Sequence, residues 1–133
     1  MNIPFLPAHE IARQIKSGTL TALEVTEALL AHIEKVDGEP GSIQPSNLQP
    51  STSPGVHAFI TVTADRARAQ AQAIDAKLAA GEDPGPLAGV PFTVKDIFCV
   101  EGTPSTAASR ILANFTAPYT ATPVERMEAA GAV

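Results

Sequence analysis

The run Gly89-Val90-Pro91-Phe92-Thr93-Val94-Lys95-Asp96 decides the fold class. A Gly/Pro turn opens into three β-formers, Phe92, Thr93 and Val94, which deliver a lysine at the far end of a short strand. A strand-terminal lysine either snorkels its ammonium to water or is partly desolvated, where its amine can act as a base. Asp96 beside it reads as an ion partner or, with the stronger case, as a turn or cap residue.

Helical patterns surround this run. Ala8, Ile11, Ala12 and Ile15 form one apolar face that ends at Ser17-Gly18. Thr21 and Glu24 have capping-box spacing, and Val25, Leu29, Ile33 and Val36 follow at helical intervals. His57-Ala58-Phe59-Ile60-Thr61-Val62 is β-prone and predicts a strand, followed by an Ala-rich helix with Ala67, Ala71, Ile74 and Leu78 on one side. Ile111, Leu112 and Phe115 suggest a short helix, and Thr122 with Pro123 marks the start of another that Gly131 ends. Ala132-Val133 reads as the beginning of a further strand. The order helix, helix, strand, helix, strand, helix, stub predicts an α/β fold: a mixed sheet flanked by helices, incomplete within these residues.

Residues 37–55 break the pattern. They are rich in Pro and Ser, with Ile43 and Leu48 as almost their only apolar side chains, and so predict a flexible inserted surface loop. The remainder of 1–133 reads as one piece of a single domain. Its core must rest on aliphatic side chains, because aromatics make up 5% of the chain and Trp is absent.

The net charge of −5 and the scattered basic residues argue against a nucleic-acid-binding face. The N-terminus has no basic region followed by an apolar run, no stretch is long enough to span a bilayer, and the lone Cys99 fits a reducing compartment; the expected location is cytoplasmic. Ser105, Thr106 and Ser109 are hydroxyl candidates, but hydroxyls in such a turn usually bond local backbone, and no G-x-S-x-G elbow surrounds them. Cys99 has no histidine placed to activate it, and His9, His32 and His57 lack metal-ligand spacing, so no metal site is expected. Gly81, Gly85 and Gly89 do not form a phosphate loop.

The segment from Gly85 through Asp96 resembles the N-terminal part of the amidase signature family, and His57–Val62 resembles the strand that precedes the Ala-rich helix there. From Cys99 onward, the elements Ala108-Ser109-Arg110-Ile111-Leu112 and Tyr119-x-Ala-Thr-x-Val-Glu-Arg-Met127 are most similar to one branch, the A subunits of glutamyl-tRNA(Gln)/aspartyl-tRNA(Asn) amidotransferases. Thr120 and Pro123 stand where that branch often has Asp and Val.

The resemblance implies a Ser–cis-Ser–Lys triad in which Lys95 is the catalytic lysine. It draws a proton through the bridging serine while the second serine attacks an amide carbonyl. Both triad serines would lie beyond Val133, which implies a fragment of the ammonia-generating subunit, inactive alone. The implied partners are subunits B and C, with glutamine as amide donor and tRNA contacted mainly through the complex. No cofactor is implied for this chain; ATP and Mg belong to the partner subunit. Two other readings stay open: a non-catalytic association fragment completed by a second chain, and a general amide hydrolase of the same family.

Overall fold

The computed structural model describes residues 2–38 and 54–133. The expected loop 37–55 therefore lies outside the described residues except at its two ends. A 3-10 turn over Ile3–Phe5 precedes four helices: α1 (Ala8–Lys16), α2 (Ala22–Asp37), α3 (Ala64–Ala79) and α4 (Thr122–Ala129). The chain divides into two compact units, one comprising Met1–His32, Ala64–Thr93 and Arg126–Val133, the other Ile33–Thr63 and Val94–Glu125.

The first unit holds the aliphatic core. Ile11, Ala12 and Ile15 of α1, Ala22 and Val25 of α2, and Ala71 and Ile74 of α3 are buried together with Leu20, Ala88, Val90 and Val133. Ile15 and Val25 are the largest side chains fully withdrawn from water, as expected of a chain short of aromatics. Alanines let the backbones approach closely. Gly89 carries this furthest: at φ +65°, a Cβ there would lie 2.5 Å from Ile15 Cδ1 and 2.8 Å from the Ala22 Cβ. Glycine is required at this position by both conformation and space.

The N-terminus of α2 is satisfied twice over. Thr21 and Glu24 form the expected capping box, with Thr21 N–H donating to Glu24 Oε2 (2.8 Å) and Glu24 N–H to Thr21 Oγ1 (3.0 Å). Asp75 of α3 then accepts from the N–H groups of Ala22 (2.7 Å) and Leu23 (3.1 Å). The free donors that every helix start exposes are thus met here by a residue more than fifty positions away.

The expected mixed sheet is not formed among the described residues. Phe92–Val94 is neither helix nor strand, and its backbone pairing is limited to Val133, whose N–H donates to Val90 O and whose carbonyl accepts from Phe92 N–H, both at 2.9 Å. That is one parallel step, and it agrees with the reading of Ala132-Val133 as a strand start. The predicted strand His57–Val62 is absent: His57 sits at φ +54°, and the N–H groups of Ala58 and Phe59 are taken by the Asp37 carboxylate. A β-prone run without a neighbouring strand has nothing to pair with, so hydrogen bonds to a distant carboxylate win. Ile111–Phe115 is likewise not a helix. The N–H groups of Leu112, Ala113 and Phe115 each bond three residues back, and Ile111 is 94% exposed.

Two outcomes test this account. Asp75→Ala should cost about 1–2 kcal/mol in urea denaturation, as loss of a helix cap does. In α1, the Arg13 guanidinium and then the Gln14 amide hold the Glu10 carboxyl at about 2, against an ordinary 4.5. Its contribution is therefore complete above about pH 4.5 and lost as pH falls through about 2. An NMR titration of the Glu10 carboxyl should show this low midpoint, and Arg13→Ala should return it toward the ordinary value.

Candidate functional site

Lys95 belongs to the second unit and directly follows Phe92–Val94 in the chain. Its side chain is exposed, and among the described residues it forms neither an ion pair nor a hydrogen bond. Its carbonyl accepts from Phe98 N–H at 2.9 Å, so the chain turns sharply just past it.

Asp96 does not pair with Lys95. Its carboxylate faces residues 105–108, accepting from Thr106 N–H (2.9 Å), from the Thr106 hydroxyl, and from Ala108 N–H at a long 3.4 Å. Its main-chain carbonyl accepts from Ala107 N–H (3.0 Å) and the Ser105 hydroxyl (3.3 Å). The expectation of a turn or cap role for Asp96 is met, with a partner segment ten residues away that no local pattern signals.

The hydroxyl candidates are accounted for by the same knot. Ser105 and Thr106 are buried, and both donate to Asp96. Ser109 N–H closes a turn onto Thr106 O at 2.8 Å. The central residues of that turn, Ala107 (φ +48°) and Ala108 (φ +55°), are both left-handed. Two positive φ angles in succession define a type I′ turn, normally filled by Asn and Gly because a Cβ is strained there. Below the knot, Ser105 N–H to Phe115 O (3.1 Å) and Ala117 N–H to Thr103 O (2.9 Å) form a single antiparallel bridge between Pro104 and Thr116.

Cys99 is half-buried, and its side-chain partner is the Tyr119 phenol rather than a histidine; that hydrogen bond pushes Tyr119 above its ordinary value. His32 packs edge-on against Phe5, with ring centroids 5.3 Å apart, in the first unit. Among the described residues, no group of three or more His, Cys, Asp or Glu side chains could hold a metal ion. No helix of the described residues is long and apolar enough to cross a membrane. In the first unit, Gln70, Ala73, Ile74, Lys77, Glu128 and Ala132 line a cavity of about 130 Å³. The Glu128 carboxylate there is already engaged by Arg66 (2.7 Å) and Gln70 (2.8 Å). Lys95, Asp96, Cys99, Ser105, Thr106, Ser109 and the three histidines are not among the residues that line this cavity.

Comparison with known proteins bears on what Lys95 and its knot belong to. The A subunit of the Streptomyces coelicolor glutamyl-tRNA(Gln) amidotransferase is 48% identical over 96% of this chain, which spans 22% of that protein. The protein of the same name from Thermobifida fusca is 44% identical over 96% of the chain and 22% of its own length. The chain thus spans about a fifth of the curated relatives it matches. Among solved structures, one described as a vestigial protein complex revealing the evolutionary origins of an s-triazine catabolic enzyme superimposes with a TM-score of 0.81. It is 38% identical and covers 96% of this chain and 25% of that one. Fatty acid amide hydrolase superimposes with a TM-score of 0.73 at 22% identity, over 98% of this chain and 20% of its own, a likeness of fold alone. The family model for amidases matches residues 50–133, a stretch that contains Lys95, Asp96 and the whole knot, and the chain belongs to that family.

Proposed function

We propose that this chain supplies the lysine-bearing N-terminal part of the ammonia-generating subunit of a tRNA-dependent amidotransferase. Lys95 is the base of its amide-hydrolysing triad, and the two serines come from the segment that follows in the relatives. The observation that carries this reading is the 48% identity to an amidotransferase A subunit over nearly the whole chain. The state of the hydroxyls supports it, because Ser105 and Thr106 are buried against Asp96 and cannot approach a substrate carbonyl. In the completed site the Gly89–Lys95 run and the segment at Val133 are neighbouring strands of a mixed sheet, extending the single parallel step already present. Glutamine is the amide donor, subunits B and C the partners, and ATP with Mg the partner subunit's requirement; the assembly works in the cytoplasm.

Lys95 withdraws a proton through one serine as the other serine attacks the amide carbonyl; the tetrahedral intermediate then breaks its C–N bond, the same relay returns the proton to the departing nitrogen, ammonia leaves and an acyl-enzyme remains for water to hydrolyse. A general amide hydrolase of the same family is the alternative. The 38% identity to the s-triazine-related structure, against 48% and 44% to amidotransferase A subunits, favours the tRNA-dependent branch.

The test is a chimera in which these residues replace the matching segment of the Streptomyces coelicolor relative. Glutamine-dependent ammonia release and Gln-tRNA formation should be retained, and Lys95→Met should lower kcat at least about a hundredfold, as loss of a general base does. Full activity of the Lys95→Met chimera would remove Lys95 from the reaction. The chain alone should release no ammonia from glutamine, and a fluorophosphonate probe should leave Ser105 and Thr106 unlabelled.

A further inference from the structure

We propose that Asp96 is the positioning residue of Lys95: its carboxylate ties the lysine's segment to the left-handed turn at Ala107-Ala108 and is thereby withheld from the lysine's own ammonium. This rests on the role proposed above for Lys95. A carboxylate one residue from a lysine is an obvious counter-ion, and an amine held by a counter-ion is kept protonated. Here the carboxylate is turned away and occupied by Thr106 N–H, the Thr106 hydroxyl and Ala108 N–H.

The same contacts fix where Lys95 leaves the backbone. Phe98 N–H to Lys95 O closes the turn on one side, and Ala107 N–H to Asp96 O joins the second strand of chain to it. The strain at Ala107 and Ala108 (φ +48° and +55°) falls on the segment that Asp96 grips. Strained backbone persists only where its surroundings over-determine it. Asp96 supplies that constraint, and without it the turn and the lysine segment should separate.

Amide exchange and 15N relaxation on the full chain test the idea without any activity assay. In Asp96→Ala, exchange protection at Thr106 should fall at least about tenfold. The Lys95 order parameter should drop from about 0.85 toward about 0.6. Protection at Val25 and Ile74 should stay unchanged. Asp96→Asn, which keeps one acceptor oxygen, should fall between wild type and Asp96→Ala, and it serves as the comparison if the alanine variant unfolds.

Adding Ala107→Gly and Ala108→Gly to Asp96→Ala relieves the strain, so protection at Ser109 should return while Lys95 stays mobile. A role confined to turn stability predicts instead that both return together, and that result would overturn the proposal. So would a Lys95 segment equally ordered in wild type and Asp96→Ala. Lys95→Met should leave the Thr106 amide untouched. An active Lys95→Met chimera would therefore count against the lysine's role and not against the tether.

Discussion

A carboxylate that accepts two backbone N–H groups can join stretches of chain that share no helix or sheet, and charge assistance makes such bonds stronger than neutral ones. Three aspartates do this work here. Asp75 closes the start of α2 from α3. Asp37, 2% exposed, accepts from Ala58 (2.5 Å) and Phe59 (3.0 Å) at the mouth of the segment between α2 and α3. Asp96 gathers residues 105–108. The second unit depends on them most. Its buried apolar side chains among the described residues are Ala117 and Val124, while Ile97, Phe98, Ile111, Leu112, Phe115 and Tyr119 are all exposed. With so little apolar area removed from water, hydrogen bonds to carboxylates and the single bridge at Pro104–Thr116 must supply its order.

Close backbone approach is the other recurring device, and it makes the same economy. At the mouth of the segment between α2 and α3, Val56 N–H reaches Val36 O (3.0 Å) and His57 N–H reaches Asp37 O (3.1 Å). A Cβ on Gly55 would fall 2.3 Å from Asp37 O, so only glycine lets the returning chain lie against the end of α2. The last carbonyls of a helix need partners. In α2 they find them in the returning backbone, and the Asp37 side chain bonds the next two amides. An aliphatic, alanine-rich chain is held by contacts of backbone with backbone and of backbone with carboxylate, because it lacks large side chains to bury.

This division explains which parts of the molecule could be read in advance. Helices carry their own hydrogen bonds, so the periodicity of Ile11, Ile15, Val25, Ala71 and Ile74 was enough to place α1, α2 and α3 and the face each buries. Strands depend on neighbours. Phe92–Val94 and His57–Val62 have the composition of strands, but one finds a single parallel partner in Val133 and the other is diverted to Asp37. The capping box of Thr21 and Glu24 was legible because its partners lie three residues apart. The bonds made by Asp75 and Asp37 span 53 and 21 residues, and nothing local distinguishes these two from solvated aspartates; for Asp96 the turn or cap role was legible but its partner ten residues away was not. For the site, Lys95 stood out through its strand-like approach and its resemblance to a known motif. The left-handed pair Ala107-Ala108 carried no such sign, since alanine is among the residues least expected there.

That pair is also where local preference and structure disagree most sharply, and the disagreement falls beside the lysine. Glycine or asparagine at 107 and 108 would adopt the same turn with less strain, and a chain with nine glycines elsewhere uses them freely at positive φ. Alanine makes the turn conditional on something that holds it. Asp96 is what holds it, through the Thr106 and Ala108 amides, while its neighbour in sequence, Lys95, has no side-chain partner among the described residues. A conditional turn couples two stretches of backbone, because neither the turn nor the Lys95 segment keeps its geometry without the other. On the role proposed for Lys95, such coupling sets the lysine's position by a hydrogen-bonded brace and does not leave it to the side chain's own flexibility.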